Sequence, residues 1–121
     1  MQLNHLNLCV DDLAQARAFF QDRFDFQFLE QKGNAIAVMT DRHHFTLVLS
    51  QYRDIEKEPP AYPKDFHVGF ILETCAQVDQ TYSRLEATEI QLTQGPRNMR
   101  GSYGFYFKAL NNILFEVSCP H

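Results

Sequence analysis

The chain repeats itself at an offset of 62 residues, and this internal similarity limits the possible fold more than any other feature. The offset places His5 over His67 and the segment 6–10 over the segment 68–72. Both segments are short, mainly apolar runs of the kind that form strands. The sequence therefore predicts two copies of one structural unit.

A helix is predicted directly after the first strand of each copy. Asp12 stands three residues before Gln15, and Thr74 stands three residues before Gln77, which is the pattern of a capped helix start. Apolar residues then recur at helical spacing, at Leu13, Ala16, Phe20 and Phe24 in the first copy and at Cys75, Val78, Tyr82 and Leu85 in the second. Each copy thus begins with a strand and an amphipathic helix.

Three further strands are predicted in each copy, separated by turn residues. They cover Phe26 to Glu30, Ala35 to Thr40 and Phe45 to Ser50, then Glu89 to Thr93, Tyr103 to Phe107 and Ile113 to Ser118. The fold class is therefore α+β, with two βαβββ modules that form a mostly antiparallel sheet. We expect one domain over 1–121, with repeat 1 at about 1–51, a proline-rich linker at about 52–64 and repeat 2 at about 65–121.

Composition and charge exclude several classes of partner. The net charge is -4, with 11 Lys and Arg against 15 Asp and Glu, and the basic residues are scattered, so no nucleic acid is expected as a partner. No run approaches the roughly 20 apolar residues that cross a bilayer, and the first residues lack a secretory pattern, which predicts a cytoplasmic protein with no membrane partner. Cys9, Cys75 and Cys119 are odd in number and far apart, which favours reduced thiols over a disulfide framework or a cysteine zinc site.

Three residues that commonly bind metal are predicted to share one face. Side chains alternate along a strand, so His5, His67 and Glu116 point away from the rows that pack under the helices. A carboxylate within an apolar strand is costly to bury alone and needs a proton, a partner or a metal ion. Two imidazoles and one carboxylate suit one divalent ion, Fe(II), Mn(II) or Zn(II), and leave positions open for substrate. A metal-free hydrogen-bonded network is the alternative.

Three strand sequences resemble those of a known family. Asn4–Leu8, Phe66–Phe70 and Ile113–Val117 look like the metal-bearing strands of the vicinal oxygen chelate superfamily, and the resemblance covers nearly the whole chain. It implies that the modules curl into a cup with the helices on the outer face, often completed in a homodimer. The superfamily includes glyoxalase I, extradiol dioxygenases, fosfomycin-resistance thiol transferases, epimerases and metal-free bleomycin-binding proteins.

Departures of this chain from the family pattern indicate which family members it resembles less. Val48 aligns with Glu116 of the other repeat. Glyoxalase I, which this chain resembles, has a fourth protein ligand at the position of Val48. The valine therefore argues against glyoxalase I activity. Tyr106 is similar in position to a substrate-contacting tyrosine of the fosfomycin transferases, whose other basic residues have no counterpart. Extradiol dioxygenases use a further histidine as base, for which His43 and His44 are the only candidates.

The sequence predicts a divalent-metal-dependent enzyme that acts on a small molecule with neighbouring oxygen atoms. Dioxygenase, isomerase and transferase chemistry remain open, with ring opening as the first reaction to test. Tyr106 is the expected proton donor, and Asn7, Arg97 and Arg100 are expected to contact the substrate, the two arginines from a loop over 95–101. The structural alternatives are that Tyr106 only packs among aromatic side chains and that the arginine loop is only exposed to solvent. The alternative function is metal-free binding or sequestration of a small molecule.

Overall fold

The computed structural model describes residues 1–52 and 61–120. The chain divides into two compact units, Met1–Ala61 and Tyr62–His121. The boundary falls inside the predicted linker, most of which lies outside the described residues. That both repeats form one domain stays a prediction.

Both units have the predicted βαβββ order. The first contains β1 (His5–Val10), α1 (Leu13–Phe24), β2 (Gln27–Lys32), β3 (Ile36–Thr40) and β4 (Thr46–Gln51). The second contains β5 (His67–Ile71), α2 (Cys75–Glu86), β6 (Arg97–Met99), β7 (Ser102–Ala109) and β8 (Ile113–Pro120).

The two sheets have equivalent strand orders, β1-β4-β3-β2 and β5-β8-β7-β6. In each sheet the first strand pairs in parallel with the last strand of its unit, and the other pairings are antiparallel. The α+β class and the mostly antiparallel pairing are therefore confirmed.

The predicted caps begin both helices. The Asp12 carboxylate accepts a hydrogen bond from the backbone N–H of Gln15 at 3.0 Å. Thr74 and Gln77 form a complete capping box, in which each side chain satisfies a backbone N–H that the first turn leaves without a helical acceptor. The repeated cap pattern thus fixes where each helix starts.

Alternating burial along the strands separates a helix-packed layer from an open face. Along β8 the buried side chains are Ile113, Phe115, Val117 and Cys119, and the half-buried ones between them are Leu114, Glu116 and Ser118. Helix α2 packs on β7 and β8 through a row that includes Val78 and Leu85. Both helices have 12 residues, and within the described part of the chain no helix is long and apolar enough to cross a bilayer.

One predicted strand is wrong. Residues 89–93 have no strand pairing, and the strand after α2 is instead β6, which pairs antiparallel with β7. Burial still alternates at Ile90 and Leu92, but alternation reports half-burial and does not supply a hydrogen-bonding neighbour. As a consequence Arg97 lies on a strand and only Arg100 lies in a turn, which corrects the predicted loop over 95–101.

Candidate functional site

Parallel pairing of β5 with β8 brings a histidine and a glutamate together in the second unit. His67 pairs with Leu114 and Gly69 with Glu116, so both ionisable side chains lie on the face opposite α2. The imidazole Nε2 of His67 lies 3.2 Å from Oε1 of Glu116, and the side chains are 40% and 18% exposed. The sequence-based expectation that these two residues share a face is met within this unit.

The other ring nitrogen of His67 is held by the backbone. Its Nδ1 lies 3.0 Å from the carbonyl oxygen of Asp65. A carbonyl oxygen only accepts hydrogen bonds, so Nδ1 carries the proton in this contact, and a neutral ring then presents a lone pair at Nε2. That lone pair faces a carboxylate oxygen, which is also an acceptor when ionised. A proton or a cation must therefore accompany the pair.

The spacing of the two acceptor atoms fits a shared metal ion. Histidine nitrogen and carboxylate oxygen each bind a first-row divalent ion at about 2.1 Å. Two such ligands stand about 3.0 Å apart at a right angle and about 3.4 Å apart at the tetrahedral angle. The observed 3.2 Å between Nε2 and Oε1 lies between these values. The backbone contact at Nδ1 is also the arrangement that orients metal-binding histidines in proteins.

Tyr106 completes a polar cluster on this face. It is the direct partner of Glu116 in the β7–β8 pairing, and its ring lies edge to face with that of His67 at 5.8 Å between centroids. Burial, followed by the hydrogen bond to Glu116 and the charge of that carboxylate, raises the pKa of Tyr106 above its ordinary value, against an opposing effect of Arg97. Tyr106 carries its phenolic proton at neutral pH, as an unperturbed tyrosine would, and its O–H is a hydrogen-bond donor on this face.

Arg97 approaches the same cluster from β6. It pairs with Gly104, two residues before Tyr106 on β7, so its side chain starts on the face that carries Tyr106. We call His67, Arg97, Tyr106 and Glu116 the polar face of the second unit. Arg100 is exposed in the turn between β6 and β7, beside Gly101 at a positive φ of 68°.

The first unit repeats the backbone of this face with different side chains. His5 is exposed at the start of β1, and its Nδ1 lies 2.8 Å from the side-chain oxygen of Asn4, which again leaves Nε2 for another partner. Asn7 accepts a hydrogen bond from the hydroxyl of Ser50 at 2.8 Å. Asn7 pairs with Val48 as Gly69 pairs with Glu116, so the predicted alignment of Val48 with Glu116 is confirmed.

The two candidate base histidines lie in the turn between β3 and β4. The Asp41 carboxylate accepts hydrogen bonds from the backbone N–H groups of His43 and Phe45, each at 2.9 Å. His44 has a positive φ of 66°, and both histidines are exposed. Their described contacts are those of a tight turn.

Two hydrogen-bond partners of the candidate histidines were not predicted from the sequence. Asn4 and Asp65 hold the Nδ1 atoms of His5 and His67, and each precedes its histidine closely enough that sequence proximity could have suggested it. In residues 1–52 and 61–120, no group of three or more His, Cys, Asp or Glu side chains forms a metal-binding cluster.

Two βαβββ units with equivalent strand orders define a class of α+β proteins built from a repeated module. The chain belongs to the Glyoxalase/Bleomycin resistance protein/Dioxygenase superfamily, which it matches over residues 2–117. The family resemblance read from the sequence is thus confirmed. No curated protein sequence matches the chain.

Solved structures agree with this assignment. The chain is similar to a possible glyoxalase from Bacillus cereus, with 38% identity over 98% of this chain and 99% of that one, at a TM-score of 0.86. Lactoylglutathione lyase from Agrobacterium tumefaciens has 21% identity, coverage of 98% and 92%, and a TM-score of 0.78. The fosfomycin resistance protein FosX from Listeria monocytogenes has 20% identity, coverage of 100% and 94%, and a TM-score of 0.79. The last two similarities concern the fold alone.

Proposed function

We propose that this protein is a divalent-metal-dependent enzyme that acts on a small molecule with neighbouring oxygen atoms. The observation that carries the proposal is the contact between Nε2 of His67 and Oε1 of Glu116 at 3.2 Å, with Nδ1 of His67 committed to the Asp65 carbonyl oxygen. When the His67 ring is neutral both atoms are acceptors, and two acceptors at this distance suit a shared cation. Superfamily membership supports the same reading.

The proposed ligands are His67 and Glu116, with His5 as the third ligand that the sequence predicts. The contact of His5 Nδ1 with Asn4 supports this role, because it leaves Nε2 for a metal ion as the Asp65 contact does for His67. We propose Fe(II), Mn(II) or Zn(II) as the ion. When bound, it would act as a Lewis acid toward the substrate oxygens.

The side chains beside these ligands have separate proposed roles. Tyr106 carries its proton at neutral pH, as tyrosine ordinarily does, and lies beside Glu116, so it would donate to an oxygen on which negative charge develops. Arg97, whose side chain starts on the same face as Tyr106, is the proposed contact for an anionic substrate. Asn7 and Arg100 stay sequence-based predictions for substrate contact, and the homodimer and the cytoplasmic location are proposals on the same footing.

Three reaction classes should be assayed, in order of the support that each has. Val48 leaves no carboxylate at the position of Glu116 in the first unit, which favours a three-ligand site and places ring-opening oxygenation of catechols first. Isomerisation of thiohemiacetals comes next, because the relative from Bacillus cereus is described as a possible glyoxalase. Thiol transfer to fosfomycin comes third, because its support is the resemblance of Tyr106 to a substrate-contacting tyrosine of the fosfomycin transferases.

The first experiment measures metal content by plasma mass spectrometry in protein purified without oxygen. We expect near-stoichiometric metal in the wild type and a loss of at least about tenfold in His67→Ala and Glu116→Gln. His5→Ala tests the third ligand. His43→Ala is the matched control, because it removes an exposed imidazole from a turn and should retain full metal content.

Activity then separates chemistry from binding. Tyr106→Phe should keep the metal and lower kcat by about 10²-fold or more, since it removes only the proton donor. Equal metal content in wild type, His67→Ala and Glu116→Gln would refute the metal site. Full metal occupancy without turnover in any of the three assays would refute the reaction classes and leave the site.

A metal-free binding protein is the second candidate, and one observation favours it. If His67 carries both protons, it donates to Asp65 and to Glu116 at once, and the pair needs no metal. This alternative predicts little metal after reconstitution with each of the three ions. It also predicts that an aromatic ligand binds wild type and His5→Ala with equal affinity and without any metal requirement.

A further inference from the structure

Two cysteines of the second unit lie in contact although 44 residues separate them in sequence. The Sγ atoms of Cys75 and Cys119 are 3.2 Å apart. Cys75 is the first residue of α2, and Cys119 lies on β8 in the row that packs under this helix. Both residues are in the thiol form. Neither is required by the proposed function, so their contact calls for its own explanation.

The two thiols differ in access to solvent. Cys75 is half-buried at the start of the helix, whereas Cys119 is fully buried with 0% exposure. Burial, followed by the hydrogen bond to Cys75, raises the pKa of Cys119. An oxidant in solution therefore meets Cys75 first, and Cys119 is the neighbour that can react with the product.

The required movement is small. Sulfur atoms in a disulfide are about 2.05 Å apart, so the two Sγ atoms must approach by about 1.2 Å. Rotation of the two side chains can contribute to this approach without a new strand register. The capping box at Thr74 holds the start of α2 against solvent-driven fraying, which keeps Cys75 near its partner.

We propose that Cys75 and Cys119 form a reversible intramolecular disulfide in exchange with a small-molecule disulfide such as oxidised glutathione. The Cys75 thiolate attacks one sulfur of the reagent, whose S–S bond breaks and releases one thiolate. The Cys119 thiolate then attacks the Cys75 sulfur and releases the second reagent thiolate. The two protein protons pass to the two released thiolates, so the protein is oxidised by two electrons and the reagent is reduced to two thiols.

This modification site is separate from the polar face. Glu116 and Cys119 are on the same strand, but alternation places Glu116 on the open face and Cys119 in the helix-packed layer. The disulfide would join the start of α2 to the end of β8 and close a loop that spans most of the second unit. Such a crosslink restricts the unfolded chain and should raise resistance to unfolding.

The test counts thiols in the full chain after incubation with oxidised glutathione and quenching in denaturant. The chain has three cysteines. We expect the count to fall from three to one, the intact mass to fall by two hydrogen atoms, and peptide mapping to join Cys75 to Cys119. Excess reduced glutathione should restore all three thiols. The urea midpoint of the oxidised protein should exceed that of the reduced protein.

Three variants make the result specific. Cys9→Ser should lose its two remaining thiols together, as the wild type does. Cys75→Ser should form no internal crosslink, and this half-exposed position tolerates serine in the first turn of a helix. Cys119→Ala should trap a mixed disulfide between Cys75 and glutathione, because the second thiol is gone; if this buried change prevents folding, Cys75→Ser decides alone. Three thiols in the treated wild type, a stable mixed disulfide on it, or a link through Cys9 would overturn the proposal.

Discussion

Strands β7 and β8 approach each other too closely at Gly104 to admit a side chain there. A Cβ added there would lie 2.7 Å from both Cα and Cβ of Ser118, and it would also clash with the carbonyl oxygen of Val117. Most of these atoms are β8 backbone, which cannot rotate away as the end of a flexible side chain could. Overpacking of this kind costs about 1–3 kcal/mol, and alanine returns about 0.4–1 kcal/mol through the unfolded state. Gly104→Ala should therefore lower the free energy of unfolding by about 1–2 kcal/mol.

Urea denaturation followed by circular dichroism checks this value. With a urea dependence of about 1–3 kcal/mol per molar, the midpoint should fall by about 1 M. Gly69→Ala is the matched control on β5, which pairs with the other edge of β8, since a Cβ there meets nothing within 4 Å. It should leave the midpoint unchanged or raise it. Equal midpoints for the two variants would refute the reasoning from close strand approach.

Three further predictions concern single side chains. The hydrogen bond to Asp79, then burial, raises the pKa of Tyr103 from 10.0 to about 12. The protonated phenol therefore stabilises the fold fully below pH 10, and this contribution is lost between pH 10 and about 12. Urea melts across this pH range should show a smaller fall in the free energy of unfolding for Tyr103→Phe than for wild type. Asp25 ends α1 at a left-handed φ of 59°. Asp25→Gly should raise the free energy of unfolding by about 0.5–1 kcal/mol, and Asp25→Asn, which removes only the charge at the negative helix end, should give less. In Glu116→Gln the pKa of Tyr106 should fall toward its ordinary value. Tyrosinate absorbance is titrated, and the curve of the same protein with Tyr106→Phe is subtracted to isolate this phenol. An unchanged pKa would contradict the prediction.

Sequence periodicity predicted most of the architecture because the features it reads are local. Helix caps at Asp12 and Thr74 depend on residues three positions away, and the repeat offset supplied two independent readings of the same unit. The strand β6 escaped prediction because Arg97–Met99 is short and mainly polar, so it carries no apolar alternation. Its existence depends on β7 as a hydrogen-bonding neighbour, which no local pattern reports.

In the candidate site, too, features set by local sequence pattern were predictable and contacts set by packing were not. Alternation along β8 predicted that Glu116 faces away from the helix, and the parallel pairing with β5 then gives it His67 as a neighbour. The contact of Cys75 with Cys119 could not be read from the sequence, because it depends on how α2 packs across β8. Wide spacing in sequence correctly indicated no local cysteine motif, but it carries no information on distance in the fold.

The equivalent strand registers of the two sheets give Tyr106 and Glu116 counterparts in the first unit. Val38 pairs with Val48 as Tyr106 pairs with Glu116. At these two positions the first unit therefore has valine methyl groups where the second has the phenol and the carboxylate. Grafting tyrosine and glutamate onto Val38 and Val48 would show whether two side chains are enough to create the chemistry of this face, or whether the Asp65 carbonyl that holds the histidine is also needed.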